Sequence, residues 1–183
     1  MDEPASLADL RLKLAPAIAD AAAFDGWSEA AVRDAAVTEG VDPDAALFAF
    51  SGGAMDMIEA WVRSIDAAMQ AALPAEQIAA LKIRERIRTL VQFRLDAIAH
   101  QKEALRRALS IMAMPQNAAR ALAIGWHSAD AMWRLAGDTA TDYNHYTKRM
   151  TLGSIYAATL AVYVNDTSEG HGDTRDFLDR RIE

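Results

Sequence analysis

Residues Gly26–Phe50 constrain the fold of this chain more than any other stretch. They read Gly-Trp-Ser-x-x-x-Val-Arg-Asp-Ala-Ala-x-x-x-Gly-Val-x-x-x-x-x-Leu-Phe-x-Phe. Ser28 offers a side-chain oxygen to orphan N–H groups at a helix start. Gly40-Val41 marks a turn, and Asp42 caps a second helix with Pro43 at its first position, where a missing N–H costs nothing. The pattern is a helix-turn-helix. Its charge is wrong for DNA. From Asp25 to Arg63 eight acids face two bases, Arg33 and Arg63, a net of −6. Phosphate neutralisation by Lys and Arg supplies most affinity for a duplex. The segment Asp42–Phe50 also lacks any Lys, Arg, Asn or Gln to read a base edge. The geometry is expected here without sequence-specific DNA binding.

The rest of the chain is also written for helices. Ala is abundant and β-branched runs are scarce, which favours helix. About nine helices and no strands are predicted. Helix one covers about Ser6 to Ala23, with Pro16 inside. The fourth runs Ala54–Ala72 with Met57, Trp61, Ile65 and Ala68 on one stripe. Pro74 opens a short turn of helix. Ile78–Ala99 follows, with Ile83, Ile87, Leu90, Val91, Phe93 and Ile98 mostly on one face. Gln101–Met112, Pro115–Gly137, Tyr143–Val164 and Arg175–Ile182 complete the set, the last capped by Asp173 or Thr174. The spacing of the N-terminal unit resembles that of TetR-type regulators. The expectation is an all-α, TetR-like fold of one domain, residues 1–183. Residues 7–51 would form a degenerate helix-turn-helix unit, and residues 54–183 a ligand-binding and dimerisation bundle.

The net charge of −7 argues against generic nucleic-acid binding. With no Cys there is no disulfide and no thiol nucleophile. Met1–Ser6 is acidic and carries no apolar core of a signal peptide. No run of 18 uninterrupted apolar residues exists to span a membrane. Lys82–Arg107 holds eight bases against three acids. It reads either as a solvated face with intramolecular pairs or as a basic face for anionic lipid headgroups.

The four His residues, 100, 127, 145 and 171, form no His-Glu-x-x-His or Glu-x-x-His pattern. His127 and Asp130 stand three apart, and two ligands do not make a metal site. No Gly-x-Ser-x-Gly elbow, phosphate loop or dinucleotide fingerprint is present. Neither a cofactor nor enzymatic activity is expected. Large apolar groups lie near small ones in the later helices. Trp61, Phe93, Trp126, Met150 and Tyr156 are therefore the expected lining of an apolar lipid pocket. Gly153, Ala157 and Ala161 recur every four residues and leave room for close helix approach. A homodimer built mainly on Tyr143–Val164 and Arg175–Ile182 is expected.

Residues Met112–Glu183 resemble the COQ-nine family of ubiquinone-biosynthesis accessory proteins. The stretches that carry the likeness are Met114-Pro-Gln-Asn117, Ala129-Asp-Ala-Met-Trp133, Ala136-Gly-Asp-Thr139, Thr141-Asp-Tyr-Asn144, Tyr146-Thr-Lys-Arg149 and Phe177-Leu-Asp-Arg-Arg181. Phe24-Asp-Gly-Trp-Ser28 and Phe50-Ser-Gly-Gly-Ala54 also fit. The resemblance implies a non-enzymatic, TetR-like protein that binds isoprenoid quinone precursors or phospholipids. It would present them to a membrane-associated enzyme, the di-iron demethoxyubiquinone hydroxylase or an equivalent. The family's partner surface corresponds here to Met114, Pro115, Asn117, Asp130, Trp133 and Leu135. His145 stands where the family usually has an aromatic residue. The implied location is the cytoplasmic side of a bacterial inner membrane, held peripherally, or the mitochondrial matrix side in a eukaryote. A TetR-type ligand-responsive transcriptional regulator is the alternative reading, and the acidic helix-turn-helix weighs against it.

Overall fold

A computed structural model describes residues 6–183. The acidic terminus Met1–Ala5, on which part of the signal-peptide reading rests, lies outside the described residues. Ten α-helices and three short 3₁₀ turns make up the described chain, with no strand among the described residues. The helices are α1 (Leu7–Asp25), α2 (Glu29–Thr38), α3 (Pro43–Ala49), α4 (Ala54–Ala72), α5 (Ala75–Ala79), α6 (Ile83–Ala97), α7 (Lys102–Met112), α8 (Ala118–Leu135), α9 (Tyr143–Tyr163) and α10 (Gly172–Ile182).

The chain forms two compact units. One holds the described residues up to Ile65 together with His100–Ala121, and the other holds Asp66–Ala99 and Leu122–Glu183. In the first unit local chemistry sets the helix ends. Ser6 caps α1 in a reciprocal box with Asp9. The Ser28 and Asp42 side chains accept from Ala31 and Ala45 N–H to start α2 and α3. Gly40 takes a φ of +65° in the turn between them, where a side chain would be strained. Pro16 sits inside α1. Helices α1, α2 and α3 pack on one another, and α7 returns to pack on α1.

Two tryptophans anchor this first core. Trp27 and Trp61 lie 5.3 Å apart between ring centroids. Trp27 Nε1 donates to the Ala104 carbonyl at 3.0 Å, and Trp61 Nε1 donates to Gln101 Oε1 at 3.0 Å. Gln101 passes the chain on, donating through Nε2 to Asp20 at 2.6 Å. The buried N–H groups thus keep partners, without which each would carry a desolvation penalty.

The second unit is built on α6, α9 and α10, which pack mutually. Leu90, Val91, Leu95, Leu152, Tyr163 and Leu178 are buried there. Arg94, only 1% exposed, pairs with Asp66 and donates to Ser128 Oγ at 3.0 Å. Its guanidinium lies 5.0 Å from the centre of the Tyr156 ring. Burial alone would lower the Arg94 pKa, but the attraction of Tyr156 and Asp66 outweighs it and the net direction is upward.

The structure corrects several details of the sequence reading. The short turn of helix expected after Pro74 forms α5, which brings the α-helices among the described residues to ten, but the segment predicted from Ile78 starts later than expected. Ile78 closes into the short α5, and a new helix starts after Lys82. Ile83, expected on the buried face, is half exposed at 48%. Met69, not Ala68, is buried at the end of the α4 stripe. The last helix starts at Gly172, three residues early. Asp166, outside the helix, holds its first turn by accepting from Thr174 N at 2.9 Å and Thr174 Oγ1 at 2.5 Å.

Candidate functional site

Helix α8 ends at Leu135, and the chain returns through a loop to α9, whose first N–H groups are capped by Asp142. An ion cluster ties the two helices together. Arg149 is 2% exposed and donates to Asp130 Oδ1 at 2.6 Å, Asp138 Oδ2 at 2.9 Å and the His145 carbonyl at 3.1 Å. Lys148 reaches the other oxygen of Asp138 at 2.7 Å. Arg134 takes the second oxygen of Asp130, also at 2.7 Å. Burial by itself would raise the Asp138 pKa, but the hydrogen bonds from Lys148 and Arg149 prevail and hold it below the ordinary carboxylate range.

Trp133 stands beside this cluster. Its Nε1 donates to the Lys148 carbonyl at 3.0 Å, and the Lys148 ammonium lies 5.3 Å from its ring centre. The indole is half-buried. It walls a cavity of about 310 Å³ whose other apolar sides come from Ile83, Ile87, Leu152, Ile155 and Ile182. That volume lies at the lower end of small-molecule sites and fits a ring plus a few carbons, not a complete long tail.

The residues singled out from sequence have different fates. None of the expected lipid-lining set borders this cavity. Trp61 is committed to the Gln101 bond in the core of the first unit. In the second unit Tyr156 is buried beneath Arg94, and Phe93 is half-buried. Trp126 packs at 5.9 Å from the Tyr146 ring. Met150 points outward at 65% exposure. The reason is rotational. Met150 falls on the face of α9 away from Leu152, Tyr156 and Thr159, which are the buried positions.

The expected partner residues also divide. Met114 and Pro115 are exposed on a 3₁₀ turn of the first unit. Asn117 is structural there, since its Nδ2 donates to the Ile111 carbonyl at 2.8 Å and fixes the end of α7. Asp130, in the second unit, already has both oxygens engaged by Arg149 and Arg134. Leu135 is half-buried. His145 fills the aromatic position by packing edge-on against Tyr146 at 5.2 Å, while its Nδ1 meets the Ala140 carbonyl at 3.0 Å. Among the described residues no group of three or more His, Asp or Glu is placed to hold a metal. Sequence reasoning did not assign Asp138, Lys148 or Arg149 to the site. The segments Ala136–Thr139 and Tyr146–Arg149, which carry the family resemblance, were the available signal.

The COQ9 family model matches residues 118–183, the segment that supplies Trp133 and the ion cluster. The rat protein named "Ubiquinone biosynthesis protein COQ9, mitochondrial" is 34% identical over 164 residues, 86% of this chain and 52% of that protein. The human protein of the same name is 31% identical over 164 residues, 86% of this chain and 51% of its own length. The chain thus spans about half the length of these curated relatives. Among solved structures, a TetR transcriptional regulator from Nitrosomonas europaea ATCC 19718 superposes with a TM-score of 0.72 at 24% identity, covering 94% of this chain and 95% of that one. This likeness shows a TetR-like fold. Together with the helix order, these matches make the chain a homologue of the COQ9 proteins that carries their family domain over residues 118–183.

Proposed function

We propose that this protein is a non-enzymatic, lipid-binding accessory protein of ubiquinone biosynthesis. It holds the head and first carbons of an isoprenoid quinone precursor and presents them to a membrane-associated hydroxylase, the di-iron demethoxyubiquinone hydroxylase or its equivalent. The observation that carries this reading is the apolar cavity walled by Trp133, built largely from the family segment. A carrier fits better than a catalyst. The titratable groups nearest Trp133 (Asp130, Asp138, Lys148 and Arg149) are consumed in ion pairs with one another rather than facing an open reaction centre. Each buried CH₂ contributes about 0.8 kcal/mol, so partial burial of a tail offsets much of its extraction from a bilayer.

The work is done peripherally at a membrane. No helix among the described residues is long and apolar enough to cross one. In a bacterium this would be the cytoplasmic side of the inner membrane, and in a mitochondrion the matrix side. Two copies pair mainly through α9 and α10, and the outer face of α9 leaves Tyr146, Met150, Ala157 and Ala161 exposed. The test is purification under native conditions followed by mass spectrometry of the organic extract. An isoprenoid quinone precursor or phospholipid is expected in near-stoichiometric amount. Protein that is lipid-free and takes up no such lipid from vesicles would end the reading.

A further inference from the structure

The Trp133 cavity has an apolar interior and a cationic edge. Arg84, Lys148 and Arg181 line it with the isoleucines, and no carboxylate does. Lys148 is neutralised by Asp138 at 2.7 Å. Arg84 and Arg181 differ. Neither is paired with a carboxylate among the described residues, and Arg181 rests its guanidinium 4.7 Å over the Phe177 ring. Of the acids nearest in sequence, Asp179 is bridged to Arg88 at 2.6 Å, while Glu85, which accepts from Lys82 N at 3.2 Å, and Glu183 line a neighbouring cleft with Arg84 and do not line this cavity.

A second feature adds positive potential at the same place. Ile83 and Arg84 are the first two residues of α6, a helix of 15 residues. The residue before them, Lys82, has an ammonium side chain that cannot accept a hydrogen bond. The first-turn N–H groups are therefore left without a side-chain acceptor. Such a helix start carries a partial positive charge and favours anions. Glu85 in the first turn answers part of that charge, so the uncompensated positive charge beside the apolar cavity is that of the two guanidinium groups without an ion pair.

Resting on the reading of this cavity as a lipid site, we infer that the precursor or phospholipid it takes is an acidic amphiphile, an apolar tail or ring carrying one anionic head, not an uncharged quinone head, held by Arg84 and Arg181. A neutral head of equal size leaves those charges unanswered. An anionic head gains charge-assisted hydrogen bonds, which are roughly twice as strong as neutral ones.

Calorimetric titration of the intact protein with dodecanoate, dodecyl phosphate and dodecanol tests this. At low ionic strength at least one acidic probe is expected to bind about tenfold or more tighter than dodecanol, equal to about 1.4 kcal/mol. The advantage should shrink as salt rises. Whichever acid binds more tightly identifies the head as carboxylate or phosphate. The double variant Arg84→Gln with Arg181→Gln, both at exposed positions, should bring the acids down to the dodecanol level and leave dodecanol binding unchanged. Dodecanol binding as tightly as both acids would overturn the acidic head while leaving the lipid cavity intact. An acid preference that survives in the double variant would overturn its assignment to these residues. If no probe binds, the cavity itself is not a lipid site.

Discussion

Asp138 is 4% exposed and sits between Lys148 and Arg149, so its charge is held by its neighbours rather than by water. Its pKa is lowered in the folded state. A lowered carboxylate contributes stability above its unfolded value of about 3.9, and that contribution disappears as pH falls through the folded value. The same sign holds for Asp166, whose oxygens accept from Ser168 and Thr174. Melting curves should therefore show no loss from these groups between pH 7 and 5, and a decline below about pH 4. Asp138→Asn should cost about 3 kcal/mol at neutral pH by leaving Arg149 short of a partner. It should also flatten the acid decline, and parallel pH curves for variant and parent would refute the assignment. Trp133→Ala separates two roles. Losing the indole hydrogen bond to Lys148 costs about 1 kcal/mol of stability. If Trp133 is also a contact for the hydroxylase, losing about 2 kcal/mol of interface energy weakens binding by roughly thirtyfold. A folded variant with unchanged affinity for the hydroxylase would remove Trp133 from the partner surface.

At the scale of elements, α8 and α9 approach closely at Gly153. A Cβ built there would stand 3.7 Å from the Gly125 carbonyl oxygen and 3.9 Å from the Ala129 Cβ. Gly153, predicted to serve pairing between copies, thus serves contact within one unit. Both distances are ordinary contact, so one methyl fits. Gly153→Ala should stabilise by up to about 1 kcal/mol through helix propensity. Gly153→Leu overfills the crossing and should destabilise by about 1–3 kcal/mol. Equal melting temperatures for the two would show that this approach is not limiting. Helix α3 sits where a recognition helix would, but its surface is Asp44, Ala45 and a 72% exposed Phe48. Without a cation it has nothing to set against phosphate.

For the whole molecule, a net charge of −7 and the acidic first unit predict no shift of duplex DNA in a mobility assay. Low salt makes that assay most sensitive to weak phosphate contacts. Nanomolar retention at physiological salt would contradict the carrier reading. Tyr146 and Met150 are exposed on α9 and Leu122 is 76% exposed on α8, and large apolar side chains left in solvent are what a second copy would cover. Sedimentation should give a dimer at micromolar concentration, and Met150→Asp should shift it toward monomer. A parent protein that stays monomeric throughout would rule out pairing through this face.

The sequence by itself determined the helices and most of their ends. Ser6, Ser28, Asp42, Asp142 and Gly40 act within three or four residues of themselves, so their chemistry can be read without knowing the fold. It also determined the charge that speaks against DNA. Tertiary structure alone decided that residues 100–121 return to the N-terminal unit and that Trp61 is spent on Gln101. It also decided that Met150 faces out, and that Asp130 and Asp138 close on Arg149. These outcomes depend on which helix faces meet, and no local rule carries that information. A buried guanidinium must find carboxylates wherever packing brings them, because an unpaired buried charge is too costly to keep.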